Sequence, residues 1–148
     1  MQKLLSALAL LLTLLLPISP ALAAPTDDPT FDRLDQWATN LDNQGQNWSQ
    51  QCTRILRGNS LNSLNCQHRL KALQDQWKQF IKLAGQYKSN GTGCRAMLNQ
   101  RWIQFRIRSF TFNLKYAGSP DTSRQAEEFE LRREGLQLKQ EIKNCTGK

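Results

Sequence analysis

The sequence predicts an all-α fold: an antiparallel four-helix bundle made of two helical hairpins, each closed by one disulfide. Three observations lead there. Apolar or small residues recur in steps of three and four through four long segments. Within each pair of neighbouring segments those residues match across a constant register. The four cysteines obey the same two registers.

Residues 1–23 precede this pattern. They carry one charge, Lys3, then an apolar run from Leu4 to Leu16, a break at Pro17 and a small-x-small end at Ala21-Leu22-Ala23. That is the layout of a secretory signal peptide. The run is shorter than the roughly 20 residues needed to cross a bilayer core, so cleavage near Ala23 is expected rather than anchoring. The expected location is periplasmic or extracellular. The remaining 125 of 148 residues suit one domain. Residues 24–30, with two prolines, read as a flexible lead-in, and residues 31–148 as the bundle.

In the first hairpin (31–89) the first seam runs Phe31, Leu34, Ala38, Leu41, Gly45, Trp48, Cys52 and Ile55, a coiled-coil-like heptad spacing. Gly58-Asn59-Ser60 suits a helix stop. The second seam is Cys66, Leu70, Leu73, Trp77, Phe80, Ala84 and Tyr87, closed by the turn cluster Ser89-Asn90-Gly91-Thr92-Gly93. In an antiparallel pair, residues that face each other have numbers adding to a constant. Cys52 with Cys66, Trp48 with Leu70, Gly45 with Leu73, Leu41 with Trp77, Ala38 with Phe80, Leu34 with Ala84 and Phe31 with Tyr87 all reach 118. Several of these set a small residue against a large one, as close packing asks.

The second hairpin (94–145) is harder to read. Phe105-Arg106-Ile107-Arg108 and Phe110-Thr111-Phe112-Asn113-Leu114 alternate in the manner of strands. Yet Leu98, Trp102, Phe105, Ser109, Phe112 and Tyr116 keep the helical step, and Arg101, Gln104, Arg108, Thr111 and Lys115 form a polar stripe at the same step. No turn residue divides 94–116, so a deeply buried helix is the expectation. Ala117-Gly118-Ser119-Pro120 marks a turn, with Ser119 or Thr122 as N-cap. The last helix places Leu131, Gly135, Leu138 and Ile142 on one side. Leu98 with Ile142, Trp102 with Leu138, Phe105 with Gly135 and Ser109 with Leu131 reach 240, and Cys94 with Cys145 reaches 239. The expected disulfides are therefore Cys52–Cys66 and Cys94–Cys145, in keeping with an oxidising compartment.

Function is far less legible. With one histidine, His68, and no two cysteines two to four residues apart, a tetrahedral zinc site is not expected. Motifs for a nucleophilic serine, a phosphate loop or a metalloprotease are missing, so neither catalysis nor a cofactor is expected. His68 reads as a solvated side chain. Glu127, Glu128, Glu130 and Glu134 lie at helical spacings from Arg124, Arg132 and Arg133, which reads as surface ion pairing. Trp48, Trp77 and Trp102 fall on seams; Trp37, one position off, reads as a partly exposed contact residue.

Charge is the remaining lead. The formal net charge of +8 becomes +7 once Lys3 is removed. Residues 58–89 carry five basic and one acidic side chain, and 94–116 carry five basic and no acidic ones. Arg101, Arg108 and Lys115 recur every seven residues with Arg95 and Arg106 nearby, and Lys71, Lys78 and Lys82 form a second line. Arg101, Arg108, Lys115, Lys71, Lys78 and Lys82 are the candidate binding face for an acidic protein or an anionic envelope component. Nucleic acid is not the expected partner for an exported chain. Asn47-Trp48-Ser49, Asn90-Gly91-Thr92 and Asn144-Cys145-Thr146 fit the N-glycosylation pattern, which matters only in a eukaryotic secretory pathway. The stretch Gln74-Asp75-Gln76-Trp77-Lys78-Gln79-Phe80 resembles the Gln-x-x-Trp-x-x-aromatic segment of small exported lysozyme-inhibitor-like domains, although Ile81-Lys82 replaces the Arg-Asp pair that follows there. The reading is a non-enzymatic exported binding module. The alternatives are an inhibitor of, or accessory to, an extracytoplasmic enzyme, and a structural or assembly component.

Overall fold

The structure, a computed structural model, describes residues 27–52, 61–117 and 124–146. These residues form four helices and no strand: α1 (Pro29–Cys52), α2 (Leu61–Ala84), α3 (Cys94–Tyr116) and α4 (Arg124–Thr146). None of the four is long and apolar enough to cross a membrane. The signal-peptide segment, the Gly58-Asn59-Ser60 stop, Ile55 and the Gly118–Thr122 turn lie outside the described residues.

The first turn of α1 corrects the sequence reading. Residues 28–30, assigned to a flexible lead-in, start the helix. Asp28 is buried and acts as the N-cap, its Oδ1 accepting the Phe31 amide at 3.0 Å. Pro29 takes the first helical position, where its missing N–H loses nothing. Asp28 Oδ2 accepts the Tyr87 hydroxyl at 2.7 Å and the Asn90 amide at 3.1 Å. Burial works against its ionisation, but the Tyr87 hydroxyl and the backbone amides outweigh that and hold the carboxyl below its ordinary value. One cap thereby fastens the start of α1 to the α2–α3 connection.

Several contacts tie α1 to α2. At one end Cys52 is bonded to Cys66, and the Trp48 indole donates to the Cys66 carbonyl at 2.8 Å. Midway Gln76 reaches Gln44 and the Trp37 ring meets Phe80 edge-on at 5.3 Å. At the other end Phe31 lies 6.4 Å from Tyr87. Tyr87 itself stands beyond the end of α2, where Gln86 and Tyr87 close the chain with tighter bonds to Leu83 and Ala84.

The segment 94–116 is helical throughout, and the strand-like alternation is not expressed. Its aromatics fill the core. Phe110 stacks on Trp77 at 6.3 Å and meets Phe80 edge-on at 5.1 Å, while Trp102 and Phe105 lie 5.3 Å apart. Because Phe105 fills the space beside it, Gly135 allows α4 to approach α3 closely; an added Cβ would sit 2.8 Å from Phe105 Cζ. The Cys94–Cys145 disulfide joins the far ends of these two helices. The backbones of α1, α2 and α3 approach one another pairwise, whereas α4 approaches α3 and no other described helix.

Candidate functional site

Both basic lines can be followed from sequence to structure. On α3 the line Arg101, Arg108, Lys115 is exposed, but each member meets a glutamate of α4. Arg101 pairs with Glu141, Arg108 with Glu134, and Lys115 with Glu127 at 3.5 Å. The three glutamates also recur every seven residues, so the pairs form an interhelical ladder beside the apolar contact. Arg101 holds the Glu141 carboxyl below its ordinary value. Tyr116 adds a hydrogen bond to Glu127 at 2.9 Å. A groove of about 520 Å³ runs beside this ladder between α3 and α4. Its cations Arg108 and Arg133 are already engaged by Glu134 and Glu130. This line therefore stabilises the hairpin instead of standing free for a partner.

On α2 the situation differs. Lys71 and Lys78 share one carboxylate, Asp75, at 4.0 and 3.8 Å, and the two ammonium side chains remain 77% and 66% exposed. Lys82, one turn on, is exposed. Helical spacing puts Leu64, His68, Lys71, Asp75, Lys78 and Lys82 on one ridge, opposite the buried Cys66, Leu73, Trp77, Phe80 and Ala84. His68 is exposed, as read from the sequence. Trp37, read as a contact residue, is half-buried against Phe80.

Arg106 is the clear departure. Read from sequence as lying near the α3 basic line, it is 1% exposed and points into the space between α1 and α3. Its Nη1 donates to Asp42, its Nη2 lies 3.3 Å from Thr39 Oγ1, and its Nε stands 4.0 Å from Asp35 Oδ1. Asp35 in turn accepts the Trp102 indole N–H at 2.7 Å, and the Arg106 guanidinium rests 5.5 Å from the Trp102 ring. The sequence signal for this cluster is a second heptad line. Asp35, Asp42 and Ser49 each follow a seam residue of α1 by one position, and Asn99, Arg106 and Asn113 do the same on α3; all six are buried. A seam residue one step toward the neighbouring helix can be polar only if it finds a partner there.

Burial pushes the Asp42 carboxyl up to about 6, against the attraction of Arg106. Burial also raises Asp35, and lowers both Arg106 and the half-buried Lys139 nearby. Desolvation dominates for Asp35, Asp42 and Arg106 because these three keep little water. Asp42, Arg106, Ser109, Asn113, Glu128 and Arg132 help enclose a cavity of about 20 Å³, room for one water molecule. That volume excludes an organic substrate. Among the described residues, no group of three or more His, Cys, Asp or Glu side chains is placed to hold a metal ion.

The comparisons add no relative. No family model matches the chain, and no curated protein or solved structure proves similar to it.

Proposed function

We propose that this protein is an exported, non-enzymatic binding module, an antiparallel bundle of two stapled hairpins that presents the α2 ridge to an acidic protein or an anionic envelope component. The observation that carries the reading is the difference between the two basic lines. Arg101, Arg108 and Lys115 of α3 pair with Glu141, Glu134 and Glu127 at the surface, and Arg106 meets Asp42 and Asp35 inside. On the α2 ridge Lys71 and Lys78 share Asp75, and both, together with Lys82, stay exposed. Exposed pairs of that kind are worth about 0–1 kcal/mol, so little is lost when a partner's anions replace Asp75. The two disulfides are consistent with an extracytoplasmic location.

The test is a Lys71→Glu/Lys78→Glu/Lys82→Glu variant of the mature chain, run with wild type on heparin and on anionic vesicles across a salt series. Wild type is retained and released as the Debye length falls from about 10 Å at 0.1 M to about 3 Å at 1 M salt. The variant keeps its helicity and melting temperature and loses retention. Equal retention of the two proteins would return these lysines to an ordinary solvated surface.

A further inference from the structure

The two disulfides occupy opposite environments. Cys52 and Cys66 are buried, at 0% and 3% exposure, with the Trp48 indole donating to the Cys66 carbonyl and an Arg69 nitrogen 3.7 Å from Cys52 Sγ. Cys94 is exposed and Cys145 partly so. The second bridge also joins unlike helix ends. Cys94 is the first residue of α3, next to the N-cap Gly93, with no acidic residue in that turn. Cys145 lies in the last turn of α4. Cys94 therefore sits at the positive end of one helix dipole and Cys145 at the negative end of the other. A thiolate is favoured at a helix N-terminus and disfavoured at a C-terminus.

We infer that Cys94–Cys145 is a directional thiol-exchange site, opened in the folded protein by a dithiol reductant of the thioredoxin-fold class, with Cys94 as the leaving sulfur and α4 as the element released. The thiolate of the reductant attacks Cys145 Sγ. The S–S bond breaks and its electron pair leaves on Cys94 Sγ, which the α3 N-terminus stabilises as a thiolate. A lower-energy leaving thiolate departs faster. The second thiol of the reductant gives up its proton and attacks the mixed disulfide, releasing Cys145, which takes a proton. The reductant ends as a disulfide and the protein has gained two electrons. This inference does not depend on the α2 lysines. Its structural consequence follows from the packing: among the described helices the α4 backbone comes close to α3 alone, so losing the bridge leaves α4 held by side-chain contacts such as Leu138, Ile142 and the Gly135–Phe105 contact, and by the ion-pair ladder.

The experiment uses the mature chain in native buffer. Graded dithiothreitol is followed by iodoacetamide trapping and peptide mapping, with helicity monitored throughout. Cys94 and Cys145 should be labelled at least about tenfold faster than Cys52 and Cys66, while helicity is retained. With glutathione and rapid alkylation, which traps the mixed disulfide before a second thiol resolves it, the adduct should appear on Cys145. After reduction, limited proteolysis should cut within α4 before the other helices. Simultaneous opening of both bridges would overturn the inference. So would a glutathione adduct on Cys94, which would reverse the direction of exchange, or unchanged protease resistance of α4.

Discussion

Replacing Arg106 by methionine keeps a long unbranched stem in the core and deletes the charge that Asp42 and Asp35 face. The size of the effect follows from burial. Arg106 is 1% exposed and the aspartate side chains 7% and 10%, so water cannot take over the lost partner. Breaking a buried pair by removing one member costs about 3–5 kcal/mol, a large share of the roughly 5–15 kcal/mol that stabilises a domain. Part of that loss is recoverable by protonation. The native Asp42 carboxyl holds its proton up to about 6, whereas a free aspartate gives it up near 3.8. Between those values the native state binds the extra proton, so this group's contribution to stability falls as pH rises. Without Arg106 the carboxyl ionises still less readily, and the gap between variant and wild type should be widest near pH 8 and narrow toward pH 5. Urea unfolding at fixed ionic strength, followed by tryptophan fluorescence and far-UV circular dichroism, measures both quantities. An Asp42→Leu/Arg106→Met variant should be less damaged than Arg106→Met alone, because the uncompensated carboxylate is gone. A loss below about 1 kcal/mol at pH 8, or a gap that does not change with pH, would refute the claim that these charges are desolvated.

Two further changes test the α3–α4 hairpin. Gly135→Ala gains about 1 kcal/mol of helix propensity but drives a Cβ into the Phe105 ring, which should cost about 1–3 kcal/mol; thermal unfolding should show a net loss, relieved in a Phe105→Leu/Gly135→Ala double variant. The triple reversal Arg101→Glu/Arg108→Glu/Lys115→Glu should lower the melting temperature measurably, since each loses a pair and gains a repulsion. Adding Glu127→Lys/Glu134→Arg/Glu141→Arg should restore the melting temperature, and 1 M salt should shrink the loss; no recovery on swapping would mean the ladder contributes nothing.

The four helices and both disulfides are legible in the sequence because they rest on periodicity, and periodicity is a local property. A seam such as Cys66, Leu70, Leu73, Trp77, Phe80 must face one way on a helix, and a matching seam nearby must face it. The same arithmetic resolved 94–116, where helical spacing outlasted a short strand-like alternation. What the sequence could not decide is where each charge ends up. Arg101, Arg106 and Arg108 are near neighbours of one type, yet one is sealed against two aspartates and two lie at the surface opposite glutamates. That outcome depends on which helix packs over each residue, a long-range fact. Asp28 shows the same limit at smaller scale. Its Asp-Pro pair is a local start signal for a helix, but its role as a fastening to Tyr87 and Asn90 exists only once residues 59 and 62 positions away arrive beside it. Sequence spacing determined the faces of the helices; the tertiary structure decided which charges were spent inside the fold and left the α2 lysines to the solvent, because neutralisation requires a partner within a few ångströms.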